Sequence, residues 1–454
     1  MFWLGTGIFV ATYILIASEK LNKTVVALFG AMLMLLFILP GPSHNTKSPE
    51  PNSLEELQEP ASNISHLDSF AQNINFDVIF TLAGMMILVN ILSGTGLFQY
   101  VAIKSAKIAR GSPINTLLLL VFATAILSAF LDNVTTILLI APVTLVVAAE
   151  LEVPPIPFLL CETMASNIGG SATLIGDPPN LIIGSYAGLS FGDFMLNLSP
   201  FILLLLLLYC LTLWLFYKNK MTVTAEKRAR IMTFDEKQAI TDPKTLKWGG
   251  AIMSLTLIGF LLHGALHLEP SVVAMTGATM GLMFCCKNVE EAFEKIEWVT
   301  LFFFMGLFIL VKGAESAGLM AELGTVLQAI SSWHPLLIIL TIMWLSGICA
   351  AIMNNVSFTA AAVIIIGGFL EQNPVFAESV FLQQTLWWAL ALGVCLGGNG
   401  SAVGAAANMC TISIAEKNGT HISFKDFFVY GLPVTFISLI AASFYITWRY
   451  YFLQ

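Results

Sequence analysis

Two segments, TVVALFGAMLML at residues 24–35 and SVVAMTGATMGL at residues 271–282, match each other at an offset of 247 residues and decide the fold. Downstream the offset falls to 222 residues, because an acidic, Pro- and Ser-rich segment at 41–75 is present in the first half only. The pairs at the smaller offset are Gly84 with Gly306, Leu88 with Leu310, Val89 with Val311, Gly96 with Gly318 and Leu97 with Leu319. The chain is therefore built from two related halves.

The composition of the 454 residues is that of a polytopic membrane protein. Hydrophobic residues make up 57% and charged residues 11%, with a mean hydropathy of +0.84. Soluble domains carry roughly 25% charged residues, so this chain has too few charges to cover several soluble cores. The formal charge of −8, without a basic stripe interleaved with aromatic residues, excludes nucleic acid as a partner.

Ten apolar stretches are long enough to cross roughly 30 Å of hydrocarbon as helices. They lie at 2–18, 23–40, 76–97, 156–190, 198–217, 249–267, 270–286, 298–318, 381–411 and 427–448. Two more stretches, 114–150 and 334–370, are interrupted midway by the polar clusters DNVTT at 132–136 and NNVS at 354–357. Irregular polar backbone at membrane depth persists only where protein buries it or a water-filled cavity receives it. We therefore predict an all-α protein of about ten transmembrane helices plus two re-entrant hairpins with polar tips.

The distribution of basic residues gives the expected orientation. If the first loop faces the cytoplasm, 17 of the 20 Lys and Arg residues are cytoplasmic, and only Lys47, Lys312 and Arg449 are not. This asymmetry follows the positive-inside rule, so we expect both termini on the outer side of an inner or plasma membrane. The first twenty residues lack a signal-peptide cleavage site and are expected to remain as the first span.

The number of spans makes the two halves inverted repeats. Residues 1–217 form the first half and residues 248–454 the second, and a charged cytoplasmic linker at 218–247 joins them. Each half holds five crossings and one hairpin, and an odd number of crossings turns the second half upside down. Inverted repeats are typical of secondary transporters that work by alternating access. We therefore expect a transporter and not an enzyme. Paired binding elements in inverted halves argue against a channel or receptor.

Four polar interruptions of the apolar segments are the candidate binding elements. Two are the hairpin tips, and two are breaks in the helices at 156–190 and 381–411. Backbone carbonyls freed by Gly and Pro need partners, and a coupling ion with oxygen ligands is one such partner. We expect two pseudo-symmetric sites, each made of one tip and one broken helix. The predicted substrate- and ion-binding residues are Asp132, Asn133, Thr135, Thr136, Ser171, Thr173, Gly176, Asp177, Asn180, Asn354, Asn355, Ser357, Gly398, Asn399, Ser401 and Asn408.

Asp132 is the strongest single candidate. A carboxylate in the middle of a membrane segment is costly unless it is neutralised, so intramembrane acids indicate function. The equivalent position of the second half is Asn354, which leaves only the first tip ionisable. Capping of the helix that follows the tip is the structural alternative, and it is compatible with a functional role.

The other polar residues of the spans have simpler interpretations. Asp177 precedes two prolines and is either a turn former or a binding or proton-transfer residue. Lys312 and Glu315 have the spacing of a helix ion pair, and Glu162 is expected at the membrane interface. The seven cysteines and six histidines lack the spacing of a disulfide framework or a metal site. No cofactor or structural metal is therefore expected, and the coupling ion is H⁺ or Na⁺, with Na⁺ placed at the hairpin tips.

The motifs FLDNVTTILLIAPV at 130–143 and SNIGGSATLIGDPPNLIIGS at 166–185 resemble the ion transporter superfamily. The resemblance is strongest to the branch of arsenite permeases and the P protein, and weaker to NhaD-type sodium–proton antiporters and INDY-type divalent-anion symporters. It implies that the tips at 133–135 and 355–357 look like the Ser-Asn-Thr tips that hold sodium and substrate in the dicarboxylate branch. It also implies a homodimer with a scaffold and a moving transport part.

The chain departs from the dicarboxylate pattern by carrying Asp132 and Asn354 where Ser is expected. A fixed negative charge disfavours an anionic substrate, so proton-coupled efflux of arsenite or antimonite is the first functional hypothesis. Arsenious acid is neutral at pH 7 and suits a site of amide, hydroxyl and backbone groups with one acid. Sodium–proton antiport and sodium-coupled transport of an organic or inorganic anion are the alternatives. The expected partners are the small substrate and membrane lipid, with a soluble ATPase added if the chain is encoded in an arsenic operon.

Overall fold

The computed structural model describes residues 1–18, 21–39, 71–221, 223–224, 226–228, 232, 235–319, 322 and 330–452. Most of the predicted acidic segment at 41–75 and parts of the linker at 218–247 lie outside these residues. Every regular element in the described part of the chain is helical. The all-α prediction is therefore confirmed.

The first half contains ten described helices. They are α1 (Phe2–Ser18), α2 (Lys23–Phe37), α3 (Phe76–Ser93), α4 (Leu97–Ile108), α5 (Pro113–Phe130), α6 (Asn133–Leu151), α7 (Pro155–Gly170), α8 (Pro178–Ala187), α9 (Phe191–Asn197) and α10 (Ser199–Tyr217). Polar side chains that accept backbone N–H groups begin several of them, with Asn22 before α2 and Asn75 before α3. Proline opens α5, α7 and α8, where a missing N–H costs nothing.

The second half contains ten more described helices. They are α11 (Pro243–Leu266), α12 (Pro270–Cys285), α13 (Val289–Glu294), α14 (Trp298–Ser316), α15 (Pro335–Ile352), α16 (Asn355–Gln372), α17 (Pro374–Ala377), α18 (Val380–Gly397), α19 (Ala406–Lys417) and α20 (Phe424–Phe452). The first of them begins at Pro243, before the predicted start of this half at 248. Asp242 sets that boundary, because its Oδ1 accepts the Thr245 N–H at 3.0 Å. Helix α11 thus includes residues 243–247 of the predicted linker.

Ten described helices are long and apolar enough to cross a membrane. Four of them are the hairpin arms α5, α6, α15 and α16, each of 18 or 19 residues. By contrast α1, α2 and α12 are shorter apolar helices, so these ten helices are not the same ten as the predicted crossings. An arm of 18 residues is about 27 Å long. An arm of this length could nearly cross the hydrocarbon by itself. Both hairpin tips nevertheless lie at one internal cavity, beside the broken helices, as expected of re-entrant hairpins.

The repeat is visible in how the halves pack against each other. Helix α2 of the first half packs on α14, and α12 of the second half packs on α3. In the first contact Thr24 Oγ1 donates to the Val299 carbonyl at 3.0 Å. In the second contact the Ser271 N–H donates to Asp77 Oδ1 at 2.8 Å. Thr24 is the repeat partner of Ser271, and Asp77 is the repeat partner of Val299. The same two positions are therefore in contact twice, with the halves exchanged.

Two repeat glycines allow these crossed contacts to be close. A Cβ on Gly84 would lie 2.8 Å from the carbonyl carbon of Ala274, and a Cβ on Gly306 would lie 2.9 Å from that of Ala27. Ala27 and Ala274 are themselves repeat partners. The pairing of Gly84 with Gly306 therefore reflects a need for close backbone approach, which small residues provide between helices in membranes.

The same capping box opens α9 and α20. Ser190 Oγ accepts the Asp193 N–H at 3.1 Å while Asp193 Oδ2 accepts the Ser190 N–H at 2.8 Å. Ser423 and Asp426 repeat this geometry at 3.1 Å and 3.0 Å. The two elements then diverge, because α20 continues for 29 residues whereas α9 has seven and α10 follows it.

Ion pairs hold the described part of the linker against the first half. Glu236 pairs with Lys104 at 3.2 Å and also with Lys107, and Lys227 pairs with Glu152 at 2.7 Å. The hydrogen bond and the charge of Lys107 lower the pKa of Glu236 to about 2. The connection between the halves thus lies along α4 and the end of α6.

Candidate functional site

Both hairpin tips face one internal cavity of about 80 Å³. We predicted two separate sites with one tip each, and the structure instead brings the tips together. A smaller space of about 20 Å³ beside Ser357 shares Lys23 and Asn354 with this cavity. The polar residues that line the larger cavity are Lys23, Asp132, Asn133, Asp177, Glu297, Thr300, Asn354 and Asn355.

Asp177 joins the two tips. Its Oδ1 accepts a hydrogen bond from Asn133 Nδ2 at 3.1 Å, and its Oδ2 accepts one from Asn355 Nδ2 at 3.3 Å. All three side chains are at most 2% exposed. Asp177 holds the N-cap position of α8, and the N-cap position of α19 in the second half is Ala405. A single carboxyl group therefore serves both halves of the site.

Asp132 lines the cavity and also caps α6. Its Oδ1 accepts the Thr135 N–H at 2.8 Å, and its Oδ2 accepts the Thr135 hydroxyl. Thr136 Oγ1 donates to the Asp132 carbonyl at 2.9 Å. Asn354 caps α16 in the same manner, since its Oδ1 accepts the Val356 N–H at 3.2 Å. The capping role and the cavity position therefore coexist at Asp132.

An asparagine side chain closes each broken helix. In the first break Asn180 Nδ2 donates to the carbonyls of Thr173 at 2.8 Å and Gly170 at 3.3 Å. The equivalent contacts of the second break join Asn408 Nδ2 to the carbonyls of Ser401 at 2.7 Å and Gly398 at 2.8 Å. We named a coupling ion as one suitable partner for the carbonyls freed by these breaks. Each of these four carbonyls accepts a hydrogen bond from an asparagine amide, which stabilises the breaks.

Asn167, a fully buried residue of α7, ties the cavity to the second half. Its Oδ1 accepts a hydrogen bond from Asn133 Nδ2 at 3.1 Å. Its Nδ2 donates to Asn399 Oδ1 at 2.8 Å and to Asn408 Oδ1 at 2.9 Å. The first tip is thereby connected to the second broken helix.

The reciprocal connection runs through Cys395. Cys395 lies three residues before Gly398, as Asn167 lies three residues before Gly170. Its Sγ donates to Asn180 Oδ1 at 3.4 Å. Each half therefore contacts the closing asparagine of the other half, once through an amide and once through a thiol.

The match of a family model decides the family of the chain. The model described as citrate transporter (CitMHS) matches residues 13–393. The chain belongs to the citrate transporter family. It is a secondary transporter of this family and of the ion transporter superfamily that its motifs resemble.

Relatives of this citrate transporter family member match nearly the whole chain. An uncharacterized transporter of Mycobacterium tuberculosis is 40% identical over 457 residues, which cover 99% of each chain. The 46 kDa membrane protein of Mycobacterium leprae is 39% identical and covers 98% of each chain. The P protein of Mus musculus is 30% identical over 96% of this chain and 58% of its own length. The family description and the name of the Mycobacterium tuberculosis relative indicate a transporter.

Two solved transporter structures share the fold. The YdaH transporter of Alcanivorax borkumensis, whose topology is described as unusual, has a TM-score of 0.57 at 14% identity and covers 99% of this chain and 98% of its own. MtrF of Neisseria gonorrhoeae, described as illuminating a class of antimetabolite efflux pumps, has a TM-score of 0.57 at 12% identity and covers 98% and 96%. At such identities the likeness concerns the fold alone.

Most of the other predicted residues of this transporter lie behind the cavity wall. Ser171 Oγ donates to the Asn167 carbonyl at 2.8 Å, and Thr173 Oγ1 donates to the Ala129 carbonyl. Ser401 Oγ donates to the Ala351 carbonyl at 2.5 Å. Their hydroxyls hold the breaks against the hairpins. Ser357 Oγ is buried and has no hydrogen-bond partner among the described residues.

Three polar cavity residues were missed from the sequence. Lys23, Glu297 and Thr300 all line the cavity, although none was among the predicted binding residues. Glu297 takes the N-cap position of α14, and its repeat partner is Asn75. The available sequence signal was that the second half carries an acid, Glu297, where the first half carries the neutral Asn75.

Glu162 is fully buried between α7 and α6, and both of its oxygens accept the Thr144 hydroxyl, at 2.9 Å and 2.8 Å. The predicted pair of Lys312 and Glu315 is present at 3.0 Å with both side chains half-exposed. That pair lies away from the cavity.

Proposed function

We propose that this transporter exports a small, neutral inorganic hydroxide, arsenious or antimonious acid, in exchange for protons. The observation that carries the proposal is the position of Asp177, whose two oxygens each hold one hairpin tip. A carboxyl group that serves both halves can couple its own protonation to the arrangement of both.

Protonation of Asp177 changes the number of contacts it can make. The ionised carboxylate accepts from both tip amides, and such hydrogen bonds to a charged group contribute roughly 1.5–3 kcal/mol each. A protonated carboxyl group must turn one oxygen into a donor. Where the proton takes the lone pair that receives a tip amide, the new donor would face that amide N–H, and the tip would lose its contact unless the amide turned over.

Neither tip amide can turn over without losing a second hydrogen bond. Asn133 Nδ2 also donates to Asn167 Oδ1 at 3.1 Å, and a turned amide would place two oxygens together there. Asn355 Oδ1 also accepts the Val356 N–H at 2.9 Å. Protonation of Asp177 therefore favours separation of one tip from the carboxyl group. This step gives proton binding a direct effect on which tip can move.

The size and the charge of the cavity favour a small uncharged solute. Its volume of about 80 Å³ is far below the roughly 300–1,000 Å³ of pockets for drug-sized ligands. Its charged lining consists of Asp132, Asp177 and Glu297 against Lys23. An uncharged hydroxide can donate hydrogen bonds to these oxygens without adding negative charge. A citrate anion, which the family description names, would have to enter together with protons or a metal cation.

Sodium–proton antiport is the second candidate function. It is favoured by the position of Asp132 and Glu297 on the wall of one cavity beside the amide of Asn354. Carboxylate and amide oxygens suit a hard cation. In that case Asp132 would alternate between a cation and protons.

Proteoliposomes containing the purified chain separate these functions. A pH gradient with an acidic lumen should drive arsenite or antimonite into the vesicles, measured by elemental mass spectrometry, in the absence of sodium. Citrate and sodium should not accumulate under the same gradient. Sodium-dependent proton release without arsenite uptake would replace the proposal with antiport of sodium.

A further inference from the structure

A further polar contact between the halves lies where α9 meets α11, outside the cavity lining. The Phe191 N–H, at the start of α9, donates to Nε2 of His263 at 3.1 Å. The Phe191 ring stacks on Phe260, one turn earlier on α11, at a centroid distance of 5.6 Å. We call this contact the α9–α11 seam. It fastens the segment that follows the first broken helix to the first helix of the second half.

The hydrogen bonds of His263 define its protonation state. Since Nε2 accepts from a backbone N–H, that nitrogen carries no proton. Nδ1 lies 3.0 Å from the Leu268 carbonyl and therefore carries the proton that it donates. The seam as built requires the neutral imidazole in this single tautomer.

A proton on Nε2 would break the seam. Both ring nitrogens of an imidazolium are donors, so Nε2–H would point at the Phe191 N–H. Two donors cannot share that position, and the N–H of Phe191 would lose its acceptor.

Protons can reach His263 even though its side chain is only 7% exposed. A cavity of about 310 Å³ with His263 in its wall lies between α8, α11 and the start of α12. Three carboxylates face this region from the packed elements, Asp77 on α3, Asp193 on α9 and Glu269 before α12, together with His267 at the end of α11. Asp77 and Asp193 are occupied by N–H groups of Ser271 and Ser190. The surplus of negative charge would accommodate a charged imidazolium.

The histidine of the seam has no histidine as its repeat partner. The repeat partner of His263 is Ile16, which is a buried apolar residue of α1. His263 lies twenty residues after Pro243, the start of α11, and so about 30 Å along the helix from the linker. A proton-dependent contact is therefore available on the face opposite the linker and not at the equivalent place on the linker face.

We propose that His263 is a proton-sensing latch: acid on the face opposite the linker releases α9 from α11 and favours the state in which this seam is open. Release frees the far end of α8, the helix whose N-cap residue is Asp177. The latch acts whatever solute is carried, and it does not depend on the proposed role of Asp177.

Pulsed electron paramagnetic resonance can measure the seam directly. Spin labels are placed at Leu196→Cys on α9 and Leu266→Cys on α11, both exposed, with the four partly exposed cysteines replaced by serine. These are Cys210, Cys286, Cys349 and Cys410. The full chain in lipid nanodiscs is titrated from roughly pH 7.5 to pH 5, around the range in which histidine titrates. The readout is the ratio of long to short label distances.

One proton controls the equilibrium, so this ratio should rise by up to about tenfold per pH unit. His263→Gln should abolish the rise, because its Oε1 accepts from Phe191 and its Nε2 donates to Leu268 at every pH. His267→Gln, in the same cavity, should respond as the parent does. A parent ratio that changes less than twofold overturns the proposal, and so does an unchanged response in His263→Gln. If His263→Gln does not fold, the ¹⁵N shifts of His263 in the parent still decide, because a neutral Nδ1–H ring throughout the titration contradicts the latch.

Discussion

The side-chain amide of Asn167 donates a hydrogen bond to Asn408 across the boundary between the two halves, at 2.9 Å. Both side chains are fully buried. Asn408 Nδ2 donates to the carbonyls that close the second broken helix. Asn408 Oδ1 is therefore the atom that accepts the hydrogen bond from Asn167. The contact therefore links the first broken helix to the closing residue of the second.

Asn167→Ala should destabilise the protein more than a typical surface change. The substitution leaves the oxygens of Asn399 and Asn408 without this donor, and an unsatisfied buried polar group costs roughly 1–3 kcal/mol. We expect a lower midpoint of thermal unfolding in detergent. Asn418→Ala, which removes an exposed amide bonded to the Ile414 carbonyl, is the control and should leave the midpoint unchanged. Equal midpoints for both variants would contradict the assigned role of Asn167.

The crossed packing of the scaffold helices predicts matched effects of two glycine substitutions. Gly84→Ala and Gly306→Ala each place a Cβ under 3 Å from a backbone carbon of the facing helix, and such overpacking typically costs about 1–3 kcal/mol. Gly250→Ala and Gly368→Ala have open space at the new Cβ, and alanine favours a helix by up to about 1 kcal/mol. Thermal unfolding should show loss for the first pair and no loss for the second. A tolerated Gly84→Ala beside a damaging Gly250→Ala would contradict the packing.

Much of the fold could be predicted from the sequence because its signals are local. Apolar length marks the spans, and the polar tips at 132–136 and 354–357 stand out against apolar surroundings. Gly84 and Gly306 match each other under the repeat offset, and they make equivalent contacts. Capping by Asp132 was the structural alternative named from the sequence, since a carboxylate at a helix start can accept backbone N–H groups.

The meeting of both hairpin tips at Asp177 could not be predicted in the same way. Asp177 lies 44 residues from Asn133 and 178 residues from Asn355 along the chain. Its neighbours Pro178 and Pro179 suggested a turn, and no spacing rule relates it to both tips. Asn167 lies within an apolar helix pattern with no repeat partner of its own type, since Cys395 takes the equivalent place. Tertiary packing of distant elements, and not local sequence, creates these contacts.

The orientation of the chain predicts which segments react with an impermeant thiol reagent. Single cysteines placed in 41–75 should be labelled from outside intact cells, and those placed in 218–247 should be labelled only after the membrane is opened. The physical reason is the excess of Lys and Arg on the linker side. The reverse labelling would overturn the assignment of inside and outside while leaving the fold intact.

Transport measurements on the Asp132→Asn variant distinguish the helix-capping role of Asp132 from a role in proton coupling. Asparagine also caps helices, so the hairpin should remain folded and the purified protein monodisperse. We expect slower arsenite transport, because the cavity loses one of its three carboxylates. A pH gradient should still drive arsenite accumulation. Asp132→Ala removes the cap as well and should lower the unfolding midpoint by the equivalent of about 1 kcal/mol. Complete loss of the pH drive in Asp132→Asn would transfer the coupling role from Asp177 to Asp132.

The coupling role of Asp177 is the central claim, and transport by Asp177→Asn in proteoliposomes tests it most directly. An asparagine presents an amide to one of the two tips and so resembles the protonated carboxyl group at every pH. We predict that this variant still exchanges labelled arsenite across vesicles at equal pH but no longer accumulates it when a pH gradient is imposed. Glu315→Gln, a carboxyl-to-amide change in a half-exposed ion pair, should behave as the parent in both assays. Accumulation by Asp177→Asn that still follows the imposed pH gradient would contradict the account.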